Sequence, residues 1–206
     1  MKSQLIGLIA GVLLTGSAVA EQMAPDALVK NVTNDVINIV SKDQEILGGN
    51  TAKAIALVEA KLLPDFDFKR MTSLALGKDW RQATPDQQSA LTAEFKTLLV
   101  RTYSRALTAY KNQTIDFKPM KMSGEDTEVT VRTEFKQPGT KAVSIDYAME
   151  KTDATWKVYD VTVSGISLVL SFRDQFGQEV KTGGIDGLIN ILHAKNDSRV
   201  KALAQK

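Results

Sequence analysis

WKVYDVTVSGISLVLSFRDQF, from Trp156 to Phe176, is the stretch on which the fold turns. It opens as a strand, Trp156 to Ser164. After Gly165 the apolar spacing becomes helical, with Ile166, Val169, Phe172, Phe176 and Val180 recurring every three or four residues. The join between the two halves is itself apolar. The stretch therefore reads as a last strand followed by a helix that folds back over its own sheet.

Upstream the period is two. Val143, Ile145, Tyr147 and Met149 alternate with Ser144, Asp146 and Ala148. Before them Val129, Val131, Thr133 and Phe135 alternate with Thr130, Arg132 and Glu134, and Ile115 and Phe117 mark a shorter run. Gln137-Pro138-Gly139-Thr140 and Lys151 to Thr155 are the turns between. Alternation of this kind belongs to antiparallel strands with one wet face and one dry face. Further out the chain is helical on both sides. Pro25 suits the first turn of a helix, and Leu28, Val32, Val36, Ile39 and Val40 share one of its faces as far as the break at Gly48-Gly49-Asn50. A second helix runs from Thr51 to Leu63, and FDFKRMTSLAL makes a third before Gly77. Thr84-Pro85-Asp86-Gln87 is a capping-box start. Behind it Leu91, Phe95, Leu98, Leu99, Tyr103, Leu107 and Tyr110 predict one long helix to about Tyr110. Downstream, Gly183-Gly184 breaks the returning helix and IDGLINILHAKN forms the last. Helices, a four-stranded antiparallel meander, then helices is an α+β order, with about six or seven helices against the dry face.

The chain has 206 residues, 43% hydrophobic and 24% charged, an ordinary globular balance. A formal net charge of +2 provides no basic surface for nucleic acid. Cysteine is absent, which excludes disulfides, zinc–thiolate sites and thiol nucleophiles. A single histidine, His193, leaves no multi-histidine metal site. Lys2, the apolar run Leu5 to Leu14 and Ala18-Val19-Ala20 form a secretory signal cleaved after Ala20. Residues 21–206 are then a single domain, expected in the periplasm. The apolar run is shorter than the ~20 residues that span a bilayer, and no later run reaches ~18.

Catalytic motifs are missing. There is no nucleotide-binding glycine loop, and Gly183 to Gly187 lacks the spacing of one. There is no nucleophile elbow, and His193 sits on a polar turn. Asp65 with Asp67, and Asp126 with Glu128, lie beside turns or helix starts, where acids act as caps. Asp146 and Asp160 lie within strands, and Asp146 faces away from Ile145 and Tyr147. No enzyme is expected and no cofactor or metal is called for. Aromatic and methionine residues, among them Phe66, Phe68, Met71, Phe95 and Phe176, fall on inward faces. A helix lining a pocket and one lining a core have the same wheel.

Three stretches in order, FDFKRMTSLALGKDW (Phe66 to Trp80), WKVYDVTVSGISLVLSFRDQF and GIDGLINILHAK (Gly184 to Lys195), resemble the MlaC family of periplasmic phospholipid-binding proteins, also called toluene-tolerance auxiliary proteins. The resemblance implies a curved sheet of nuclear-transport-factor-like type and a deep apolar pocket that takes acyl chains. It implies a ferry role between an outer-membrane lipoprotein–porin complex and an inner-membrane ABC transporter with an MCE-domain ring, with phospholipid as cargo; a monomer is expected. Face assignment then nominates the lining. On the sheet these are Val131, Phe135, Ile145, Tyr147, Met149 and Val163. On the long helix they are Leu98, Leu99, Tyr103 and Leu107. Met71 and Leu74 come from the FDF helix, and Ile166, Val169 and Phe172 from the returning one. Arg70, Arg101, Arg105 and Arg173 are within range of a phosphate at the mouth, against the plainer reading as structural charges. A pocket isomerase using a strand acid, or an adaptor with a filled core, are the alternatives.

Overall fold

The computed structural model describes residues 22–110 and 113–204; the expected signal segment lies outside them. Helix α1 (Pro25–Val40) begins on its proline. It stops short of Gly48, because Asp43 caps a separate turn, α2 (Gln44–Leu47), by accepting from the Glu45 and Ile46 N–H groups. Asn50 caps α3 (Thr51–Lys61) and Asp67 caps α4 (Phe68–Leu76) in the same way. Leu63–Asp65 and Gly77–Gln82 are 3-10 turns. The capping box at Thr84 and Gln87 is present and opens α5 (Pro85–Tyr103).

The expected single helix to Tyr110 is broken at Ser104, and α6 (Arg105–Thr108) is a separate turn. One turn before the break the Thr102 hydroxyl donates to the Leu98 carbonyl at 2.6 Å. Thr92 and Thr97 make the same bond within unbroken α5, and beyond the break Leu107 lies on the same wall as Ile145 and Tyr147 of the sheet.

The sheet is a meander in the order β1 (Thr114–Phe117), β2 (Glu128–Lys136), β3 (Val143–Lys151), β4 (Trp156–Val163) and β5 (Ile166–Ser167), antiparallel throughout. It thus has five strands where four were expected. Ser164 and Gly165 take positive φ, 49° and 84°, as a tight type I′ hairpin requires. The chain therefore reverses on itself, and Ile166 pairs with Val163 instead of starting a helix. Helical structure resumes in the 3-10 turn Leu170–Phe172 and in α7 (Arg173–Ala204), which kinks at Gly184 where φ is 70°.

A bulge sits in β4. Ala148 opposes Asp160 while Met149 opposes Val158, so Tyr159 is the extra residue. It reverses the phase of the strand. Trp156 and Val158 are buried before it, and Val161 and Val163 face inward after it. A bulge also bends its strand, which wraps the end of the sheet around the helices. The outer edge of β4 is covered by β5 at one end and by Phe66 at Val158.

Apolar side chains fill the interior in three places. Leu91 and Phe95 of α5 pack with Phe176, Leu188 and Leu192 of α7, and Phe95 meets Phe172 and Phe176 edge to face at 5.1 and 5.2 Å. Val131, Met149, Trp156 and Val158 close one end of the sheet against Val29. Val36, Val40, Ile46 and Ala54 join α1 to α2 and α3. The other end of the sheet, towards Val143 and Val163, is not filled.

Candidate functional site

At that open end the sheet and helices enclose a hollow with two lobes. The first, about 410 Å³, lies between α1 (Thr33, Val36, Ile37, Val40) and the β2–β3 hairpin (Phe135, Val143). The second, about 290 Å³, lies between Val58 of α3, Met71 of α4, Leu99 and Tyr103 of α5, and Val161 and Val163 of β4. Leu62, Ala106, Leu107, Ile145 and Tyr147 belong to both walls, so the lobes share one partition. The first volume lies within the roughly 300–1,000 Å³ that small-molecule ligands occupy, and the second falls just under its lower bound.

The walls are aliphatic and aromatic. Ile145, Val161, Val163 and Leu107 are only half-buried although they face inward, which is what an unfilled hollow looks like from its lining. Polar groups inside are few. Burial pushes the pKa of Tyr147 up to about 12, with the Thr133 and Thr33 side chains close enough to its hydroxyl to offset part of that rise. At pH 7 it is a neutral phenol. Burial raises the Tyr103 phenol as well, although that side chain is 38% exposed at the edge of the second lobe. Ser104, buried at the helix break, also lines this lobe.

Of the residues nominated from the sequence, Met71, Leu99, Tyr103 and Val163 stand on the wall of the second lobe. Phe135 stands on the wall of the first. Leu107, Ile145 and Tyr147 stand on both. Leu98 and Val169 are instead in the α4–α5–α7 core, with Leu74 and Phe172 packed against it. Val131 and Met149 are in the core at the closed end of the sheet. Ile166 points outward and is 65% exposed, because the hairpin at Ser164-Gly165 turns it away and delivers Leu168 to the wall in its place. The α1 face, Leu62 and Val161 complete the hollow without having been nominated. The α1 stripe was legible as apolar, but periodicity does not separate a wall from a core. Val161 became inward only through the bulge.

None of the four arginines reaches the hollow. Arg70 pairs with Glu128 and Glu150 and lies over the Tyr159 ring, 3.6 Å from its centroid. Arg101 donates to the Asn196 carbonyl at 2.5 Å, and Arg173 to the Leu74 carbonyl at 3.0 Å. Arg105 is exposed. The strand acids are equally remote from it. Asp160 accepts from the Val161 N–H at 2.8 Å and the Ser167 hydroxyl at 2.6 Å, pinning the β5 turn. Asp146, opposite Arg132 and Thr162, is on the other face from Ile145 and Tyr147. His193 is exposed and bonds to Glu94 at 2.8 Å. Among the described residues no cluster of acids and histidine is arranged to hold a metal ion, and no helix is long and apolar enough to cross a membrane.

Comparison with known proteins agrees in scale with this architecture. A solved structure of a phospholipid-binding protein from Ralstonia solanacearum, in complex with a phospholipid, superposes with a TM-score of 0.78 at 40% identity, covering 85% of this chain and 98% of that one. The toluene tolerance protein ttg2D of Pseudomonas putida is 28% identical over 88% of this chain and 83% of its own length. The intermembrane phospholipid transport system binding protein MlaC of Haemophilus influenzae is 24% identical over 86% of this chain and 84% of its own. The family model described as MlaC protein matches residues 30–194. That match takes in every residue on the walls of the hollow, from Thr33 to Leu168, and the chain belongs to the MlaC family.

Proposed function

We propose that this protein holds phospholipid in the two-lobed hollow and carries it through the periplasm, between an outer-membrane lipoprotein–porin complex and an inner-membrane ABC transporter bearing an MCE-domain ring. The observation that carries this reading is the pair of adjoining, unfilled, apolar lobes, in a chain 40% identical to a protein solved with a phospholipid in complex. Burial of apolar chain is worth about 0.8 kcal/mol per CH₂. A chain of about sixteen carbons therefore represents roughly 12 kcal/mol, and two represent about 25 kcal/mol. No few hydrogen bonds offset that in water, so a carrier has to offer a continuous apolar wall. The carrier role is passive: a protein with no energy source of its own equilibrates cargo, and direction comes from the relative affinities of its partners.

Native mass spectrometry of the protein purified without detergent tests the reading. Near-stoichiometric diacyl phospholipid is expected, removable by organic extraction and restored from vesicles. Protein that carries no amphiphile and takes none up sinks it in favour of a ligand-free adaptor.

A further inference from the structure

We propose that Lys141, on the turn between β2 and β3, contacts the phosphate of the cargo, and is the residue by which this hollow tells a phospholipid from a neutral lipid with the same tails. The assignment rests on the carrier role above and deepens it.

The location of the polar end follows from the walls. A phosphate among aliphatic side chains would be desolvated without a partner, at a cost of several kcal/mol. The wall turns polar around the β2–β3 turn, where Gln113, Gln137, Thr140 and Lys141 line the first lobe. Lys141 is the only charged side chain among the described residues on either lobe.

The turn is built to hold a fixed shape. Pro138 presets its first corner, and Gly139 supplies the second with φ of 79°. The Thr140 N–H and hydroxyl both donate to the Gln137 carbonyl at 3.1 Å. The Gln113 side-chain amide donates to the Gln137 side-chain oxygen at 3.0 Å, tying the turn to the chain entering β1. The carboxylates of the adjoining β1 and β2 ends, Asp116 and Glu134, are each already paired with Lys118 and Lys136. Val143, two residues on and 39% exposed, continues the apolar wall out to the rim beside it. A diacyl phospholipid with its tails past Val143 places its phosphate beside Lys141.

The test uses the full chain stripped of lipid and a Lys141→Gln variant. Each is loaded from vesicles containing phosphatidylglycerol and, separately, diacylglycerol with the same acyl chains. The variant is expected to bind phosphatidylglycerol about two- to fivefold more weakly, as loss of one solvent-facing ion contact predicts, and diacylglycerol unchanged. Raising salt from about 0.05 to about 0.5 M is expected to reproduce the loss in the wild type and not in the variant. Lys141→Arg is expected to restore binding. Unchanged phosphatidylglycerol binding by Lys141→Gln, or equal loss for both lipids, overturns the assignment. So does displacement of phosphatidylglycerol from the wild type by millimolar inorganic phosphate, which would make Lys141 a free-phosphate site. Wild-type protein that loads neither lipid overturns the carrier role itself, a result separable from all of these.

Discussion

Leu107 and Phe95 are both apolar residues on the face of the helix first read as continuous, and they do different work. Leu107 is half-buried, faces both lobes and only edges onto the α1–α2–α3 core; Phe95 is fully buried against Phe172 and Phe176. Leu107→Arg places a charge where tails would lie, at a cost to binding of several kcal/mol. Each ~1.4 kcal/mol is tenfold in affinity. Bound lipid per folded protein is expected to fall at least tenfold, while the melting temperature drops only a few degrees. Phe95→Ala opens a cavity in solid core and is expected to cost about 3–5 kcal/mol of stability, with lipid per folded molecule retained. Lipid phosphate assays and thermal melts of both variants check the pair. Parallel losses in the two would show the hollow to be ordinary core. Leu99 is a poorer probe, since it belongs to the α4–α5–α7 core as well as to the second lobe.

Between elements, α5 and the far half of α7 are joined by a small polar clasp. Glu94 accepts from Asn196 at 2.6 Å and faces the His193 ring at 2.8 Å, and Asp197 lies on the ring's other side at 3.4 Å. The hydrogen bond to Glu94, then the charge of Asp197, raise the His193 pKa above its ordinary 6.5. Because the folded value is the higher one, the stabilisation is fully present below about pH 6.5 and fades as pH rises through the folded pKa. A melting-temperature profile of wild type and His193→Gln is expected to show the wild type ahead in mildly acidic buffer and the curves converging as pH rises past the raised folded pKa. A gap independent of pH would assign the contact to packing. The β4 bulge works at the same scale: one extra residue, Tyr159, puts Val161 and Val163 on the wall and sends its own ring outward under Arg70.

Across the whole molecule, a ligand that binds only the folded state stabilises it by mass action, about 2.7 kcal/mol at a hundredfold excess over its Kd. Protein stripped of lipid is expected to melt several degrees below the purified form and to recover on reloading; equal melting temperatures would mean that the hollow holds nothing before extraction. Much of this organisation was open to inspection in the chain. Alternation from Val129 to Met149, the capping box at Thr84 and the glycine breaks at Gly77 and Gly184 are local, and local chemistry is enough to place strands, helix starts and ends. The α+β order followed from them. Three matters were not local. Ser164 at positive φ made a hairpin of an apparent helix start, because helical spacing from Ile166 cannot reveal a reversal two residues earlier. The bulge at Tyr159 needed β3 beside it to exist at all. Whether an inward face meets side chains or empty space depends on how far apart the opposing elements stand. A sequence period records the direction of a side chain and is silent on that distance. The amino-acid order therefore determined which surfaces are apolar and which way they turn, and tertiary packing alone decided that those of α1, α6 and the open end of the sheet stay apart and leave a hollow.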